Sequence, residues 1–254
     1  MKKVEKLTSF DLKILGIILM FGDHFYDDFS GFGAPVWLTI LGRSVAPIFL
    51  FLSSEGFHYT HSKFGYMKNL LIFFWITNIA TMIVIKVFPN DSLVLINSMM
   101  GTLFLSVIAM WAWDGIKSFN KNRKYFYQSV FGWLFLIITP ILSVIIISMY
   151  PNPLVAQVLL FIPNAITVEG GVIWIILGLL FYIFRENRII QLSIIVIISA
   201  LVFVLGNKIQ FWMILSVIPI AMYNGLEGKK MKWLFYIFYP AHIVGLYIIA
   251  TLIQ

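Results

Sequence analysis

The chain has 254 residues, of which 61% are apolar or aromatic and only 11% are charged, with a net charge of +7. This excludes a soluble globular domain and indicates an all-α polytopic membrane protein, because a hydrocarbon core of about 30 Å takes roughly 20 apolar residues per spanning helix and such runs recur from Ser9 to the last residue. The absence of cysteine removes disulfides, thiolate catalysis and thiolate metal sites.

The first apolar run is too long and too polar at its far end for a cleavable signal, and is read as a retained helix. Spanning helices are expected near 10–26, 34–54, 67–88, 93–114, 126–149, 168–184, 189–206, 209–223 and 232–252. They are punctuated by the turn-forming stretches SGFGAP, FPND, YPNP, FREN and NGLEGKK. Residues 154–163 are too few to span and have prolines at their borders, so a half-helix or interfacial piece is expected there. The reading is a single integral membrane domain, 1–254, with about nine helices in one bundle and no internal repeat.

Charge gives the orientation. Lys86 and Lys208 fall on one side and Arg43 inside the second helix, so fifteen of the eighteen basic residues, Lys2, Lys3 and the KSFNKNRKY loop among them, flank the other. The positive-inside rule then places the N-terminus in the cytoplasm and the C-terminus outside. Basic residues spread over short loops anchor the chain at a lipid surface and do not indicate a nucleic-acid partner.

Ionisable groups within the apolar segments carry the functional signal, since one at the bilayer centre costs about 2.5–3.5 kcal/mol on insertion scales. LMFGDHFYDD closes the first helix with Asp23, His24, Asp27 and Asp28. Arg43 lies in the second, in LGRSVAPIF, where Pro47 removes the amide that would have bonded the Arg43 carbonyl and a kink is expected. Glu55 ends that helix, followed by His58 and His61, and His242 sits in the last helix beside Pro240. Arg43 is open to a structural role as well, as an ion-pair partner of Glu55, Asp23 or Glu169.

The segments LMFGDH, LGRSVAPIFLFLSSEGF, NAITVEGGVIWIILG and YNGLEGKKMKWLFYIFYPAHIVGLY, in that order and spacing, resemble the TraX family of membrane proteins, named for the conjugative pilin N-acetyltransferase. The resemblance runs from about Leu12 to Tyr247 and is strongest at its two ends. It implies transfer of an acetyl group from acetyl-CoA, as cosubstrate, to a peptide, glycan or lipid-linked acceptor at the cell membrane, with no metal expected. The site residues it implies are Asp23, His24, Arg43, Glu55 and His242.

Within that set the roles follow from chemistry. A histidine, with its ordinary pKa of about 6.5, can accept the acceptor's proton at neutral pH, and His24 is the candidate base. Asp23 points about 100° away from it round the helix, whereas Asp27 and Asp28, three and four residues on, share its face and are expected to orient it. Arg43 can stabilise charge developing on the thioester oxygen or grip a donor phosphate. His242 is open to donor binding or to a second proton-carrying role, and Glu55 to donor binding. The donor is cytosolic while His24 lies toward the outside, so a cavity open to both faces is expected, with the glycines of EGGVIWIILG permitting close helix approach.

Two other classes fit parts of the pattern. A transporter also keeps charges and broken helices near the midplane, although no repeat accompanies them here. A metal-dependent membrane enzyme would use Glu55, His58 and His61, or His24 with Asp27 or Asp28.

The charge bias makes a direct prediction. A topology reporter fused after Gln254 should be active only outside the cytoplasm, and activity confined to the cytoplasm would overturn the nine-helix order.

Overall fold

The computed structural model describes residues 6–93, 95 and 99–253. Lys2 and Lys3, and most of the expected opening of the fourth helix before Met99, lie outside them. The described residues are helical with no strand. The elements are α1 (Ser9–Phe29), α2 (Trp37–Gly42), α3 (Val45–Tyr59), α4 (Lys63–Val87), α5 (Met99–Ser118), α6 (Arg123–Met149), α7 (Pro153–Leu159), α8 (Gly171–Ile183), α9 (Arg188–Val204), α10 (Val217–Ala221) and α11 (Lys232–Ile253), with 3-10 turns at Ser30–Phe32 and Gln210–Ser216.

Local chemistry explains the boundaries. Thr8 and Asp11 form a reciprocal capping box that starts α1. Three helices start on asparagine N-caps, in the KSFNKNRKY loop, YPNP and FREN: the side chains of Asn122, Asn152 and Asn187 accept from the amides of Lys124, Leu154 and Ile190. The expected second helix is two helices, α2 and α3, interrupted at Arg43 and Ser44. Pro47 supplies no amide for the Arg43 carbonyl, and the Ser44 hydroxyl turns back to donate to the Leu41 carbonyl at 2.6 Å. Pro240, in contrast, is carried inside an unbroken α11.

Five of the described helical stretches are long and apolar enough to cross a membrane: Trp37–Tyr59, Lys63–Val87, Met99–Ser118, Arg123–Met149 and Trp233–Ile253. Four further expected spans differ for physical reasons. α1 is long enough but carries Asp11, Lys13, Asp23, Asp27 and Asp28, whereas Gly171–Ile183, Arg188–Val204 and Gln210–Ala221 are apolar but short.

The chain forms two compact units. The first comprises Met1–Leu52, Ile79–Leu95 and Phe184–Gln254. In it α1 packs on α2 and α11, and the Gln210–Ser216 turn packs on α9 and α2. The start of α1 is pinned to the loop before α11: the Ser9 and Phe10 amides donate to the Leu226 and Glu227 carbonyls at 2.8 and 3.1 Å, and Ser9 Oγ lies 3.0 Å from the Tyr223 hydroxyl. Lys13 Nζ lies 5.3 Å from the centroid of the Phe235 ring, and Phe29 at the far end of α1 packs with Leu246 and Ala250. α1 and α11 therefore run parallel.

The second unit comprises Ser53–Asn78 and Ile96–Ile183. Here α5 packs on α6 and α8, with Gly132 set against Ala112 and Gly115 against the Ser129 backbone, the close approach that small residues allow between apolar helices. Lys63 Nζ donates to Asp114 at 3.0 Å and lies 4.0 Å from the centroid of the Phe57 ring, and the Tyr182 hydroxyl donates to the same carboxylate. α7 has seven residues, a length of about 10 Å, which agrees with a non-spanning 154–163 piece. The carbonyls at its end, Leu160 and Phe161, accept from Asn78 Nδ2 and Trp75 Nε1, both at 2.9 Å. Asn164 then caps the turn that follows through the amides of Ile166 and Thr167.

Gly170, in that turn, has φ +68° and lies against Trp174, whose indole occupies the place of any added Cβ. Strain and overpacking each cost about 1–3 kcal/mol, so Gly170→Ala should sharply lower the yield and melting temperature of detergent-solubilised protein. Gly245→Ala in α11, with open space around it, should leave both unchanged.

Candidate functional site

Asp23 and His24 are neighbours on α1 and so address different helices, as the rotation of about 100° per residue requires. Asp23 faces α2, where Arg43 Nη2 donates to both carboxylate oxygens. The pair is largely buried, with side chains 24% and 14% exposed for Arg43 and Asp23. Arg43 Nε also donates to the Thr39 carbonyl at 3.3 Å, which holds the guanidinium against the last turn of α2. Gly42 makes the contact possible, because a Cβ there would fall on the Asp23 carboxylate. Of the ion pairs open to Arg43 in the sequence, the one with Asp23 is formed.

His24 faces α11. Its Nδ1 lies 2.8 Å from His242 Nε2, with the rings 6° from parallel and their centroids 4.9 Å apart. His242 Nδ1 in turn lies 2.7 Å from the Phe238 carbonyl oxygen, one helical turn earlier. The Phe238 ring is parallel to the His242 ring within 10° at 4.5 Å, and Tyr239 meets it edge-on at 5.9 Å. His242 is buried at 7% exposure.

Four of the five expected site residues thus meet in pairs within the first unit. Asp27 and Asp28 are not the groups that orient His24: the hydrogen-bond partner of its Nδ1 is His242 Nε2, with Asp27 exposed and Asp28 buried at the end of α1. Glu55 belongs to the second unit, on the last part of α3. There His58 packs edge-on against Tyr59 at 4.7 Å, and His61 is exposed. Among the described residues no group of three or more His, Asp or Glu side chains is placed to hold a metal ion.

Gly42 and Phe238 went unassigned in the sequence. Gly42 had a signal, its place directly before an arginine set in an apolar stretch. Phe238 had a weaker one, its spacing of four residues before His242. The arrangement offers a buried cation fixed by a carboxylate beside a hydrogen-bonded pair of imidazoles, a set able to move a proton and to stabilise negative charge in a low-dielectric site.

The family model described as TraX protein matches residues 9–250. No curated protein and no solved structure matches the chain.

The pair energetics predict an asymmetry. Arg43→Ala leaves Asp23 buried without its partner, at about 3–5 kcal/mol, and should aggregate on solubilisation, as should Gly42→Ala, which pushes the two apart. The double variant Asp23→Asn/Arg43→Gln removes both charges and should retain more folded protein than Arg43→Ala by size-exclusion chromatography.

Proposed function

The chain belongs to the TraX family, and from that premise we propose that it is a multi-pass protein of the cell membrane that transfers an acetyl group from acetyl-CoA to an amine or hydroxyl of a peptide, pilin-like or cell-envelope acceptor. The family is linked with pilin acetylation. The observation that carries the reading is the meeting of His24 with His242 and of Asp23 with Arg43 on adjacent positions of α1. Acyl transfer needs a base for the nucleophile's proton and a fixed positive charge for the carbonyl oxygen, and these pairs hold candidates for both.

In the proposed reaction the acceptor's nitrogen or oxygen lone pair bonds to the thioester carbonyl carbon while its proton moves to His24. Negative charge that develops on the carbonyl oxygen is stabilised by Arg43, whose guanidinium Asp23 and the Thr39 carbonyl hold in place. The carbon–sulfur bond then breaks, and the proton passes from His24 to the departing thiolate, giving free coenzyme A and the acetylated acceptor. All atoms are accounted for without a metal or redox partner.

The proposed topology has nine spans and a cytoplasmic N-terminus. The parallel run of α1 and α11 supports the span count, because two parallel spans must have an odd number of crossings between them, seven in this order. The fifteen basic residues that this order collects on one side support the cytoplasmic N-terminus.

Two measurements test the function. Mass spectrometry of envelope and secreted peptides should find species that lose one acetyl group when the gene is deleted and regain it on complementation. With such an acceptor in proteoliposomes, His24→Ala should lower the rate by about 10²–10⁴ while the protein stays folded and binds coenzyme A. Unchanged acetylation in the deletion strain would overturn the reading.

A further inference from the structure

We propose that His24 and His242 form a relay of fixed tautomers, in which Nε2 of His24 is the proton-accepting atom and His242 is a positioning residue that does not touch the donor. This rests on the acetyl-transfer reading for its catalytic consequence, but the proton assignment stands on geometry alone. It starts at the Phe238 carbonyl, a group that only accepts. His242 Nδ1, 2.7 Å from that oxygen, must therefore carry a proton. A neutral imidazole carries one N–H, so His242 Nε2 is a bare lone pair. The 2.8 Å contact between it and His24 Nδ1 needs one hydrogen, and His24 supplies it. His24 Nε2 is left unprotonated, and it makes no hydrogen bond within the described residues.

The opposite assignment fails at its first atom. If His242 Nε2 donated to His24, a neutral His242 would turn a bare Nδ1 toward a carbonyl lone pair at 2.7 Å. Holding protons on both nitrogens would instead place a cation in a ring 7% exposed, at the desolvation cost of a buried charge.

The relay also has mechanical support. Phe238 lies parallel to the His242 ring at 4.5 Å and Tyr239 closes its edge at 5.9 Å, so the ring that directs His24 is itself held. When His24 Nε2 takes the acceptor's proton, its Nδ1–H becomes a charge-assisted donor to His242 Nε2, which strengthens the contact as the transition state forms. Nothing in this role requires His242 to meet coenzyme A. His242 thus acts on His24 as the outer partner of a histidine ligand acts on the ligand, by fixing its tautomer and ring orientation.

The experiment uses the full chain in lipid nanodiscs with ¹⁵N-labelled histidine, and assigns His24 by its loss in His24→Ala. His24 should show a protonated Nδ1 and an unprotonated Nε2, and the reverse tautomer would overturn the proposal whatever the activity. With an acceptor in hand, His242→Ala should lower kcat about 10–100-fold with the KM for acetyl-CoA within about twofold. His242→Gln, whose amide oxygen can accept from His24 Nδ1–H, should recover most of that loss. A raised KM with kcat unchanged would make His242 a donor-binding residue and overturn its positioning role. Phe238→Leu, which keeps the backbone carbonyl and removes the ring, should preserve the His24 tautomer, and a switch there would also count against the relay. Absence of acetyl transfer in the wild type, with the expected tautomer present, would sink the acetyl-transfer reading and leave the assignment intact.

Discussion

The architecture of the first unit depends on one constraint, that an arginine placed between apolar helices must be met by a carboxylate. Asp23 meets Arg43, and the surrounding sequence is arranged around that contact. Gly42 removes a Cβ that would block it, and Pro47 breaks the helix after Arg43 so that the guanidinium sits at the end of α2 rather than within a continuous helix. Once Asp23 is committed to α2, the next residue must look elsewhere. A turn of about 100° carries His24 to α11, so the ion pair settles which helix the imidazole addresses.

Depth is settled at the other end of α1. From Ser9 to His24 is about 22 Å of helix, and from Lys232 to His242 about 15 Å, at about 1.5 Å per residue. The two histidines can meet only if α1 begins lower than α11 by the difference. The loop supplies it: Ser9 and Phe10 bond to Leu226 and Glu227, several residues before α11 starts, and Leu7 pairs with Tyr223 in a short parallel bridge. Thr8 closes this joint from both directions, capping Asp11 and leaving no room for a Cβ at Gly228. The capping box and the NGLEGKK loop, which look like ordinary termini, act as a spacer that sets the register of the site.

Much of this was legible in the sequence. Apolar runs located every long helix, asparagine and proline marked the turns, and intramembrane charge singled out the residues that meet. What escaped is pairing between residues far apart along the chain. Helical periodicity reports which residues share a face of one helix, and on that ground Asp27 and Asp28 looked like the partners of His24. It carries nothing about His242, 218 residues away. The same limit hid the joining of Lys63, Asp114 and Tyr182. Span counting met a different limit, because apolar composition does not reveal that Gln210–Ser216 winds as a 3-10 turn or that α8 stops at thirteen residues. The division into two compact units likewise has no mark in composition.

Between helices surrounded by lipid the hydrophobic effect gives no specificity, since tails are as apolar as leucine, and association depends on close packing and polar contacts. In the first unit the candidate site residues are among the polar contacts that fasten α1 to α2 and to α11. The ion pair is the more demanding of the two, because removing either half leaves a buried charge, whereas removing His242 leaves only an unmet N–H on His24. In the proposed reaction Asp23 and Arg43 therefore bear on folding and chemistry together, and an alanine at either position cannot separate them. The imidazole pair is neutral at both ends and weaker as a fastener, which makes it the part of the cluster where a loss of activity can be read as chemistry.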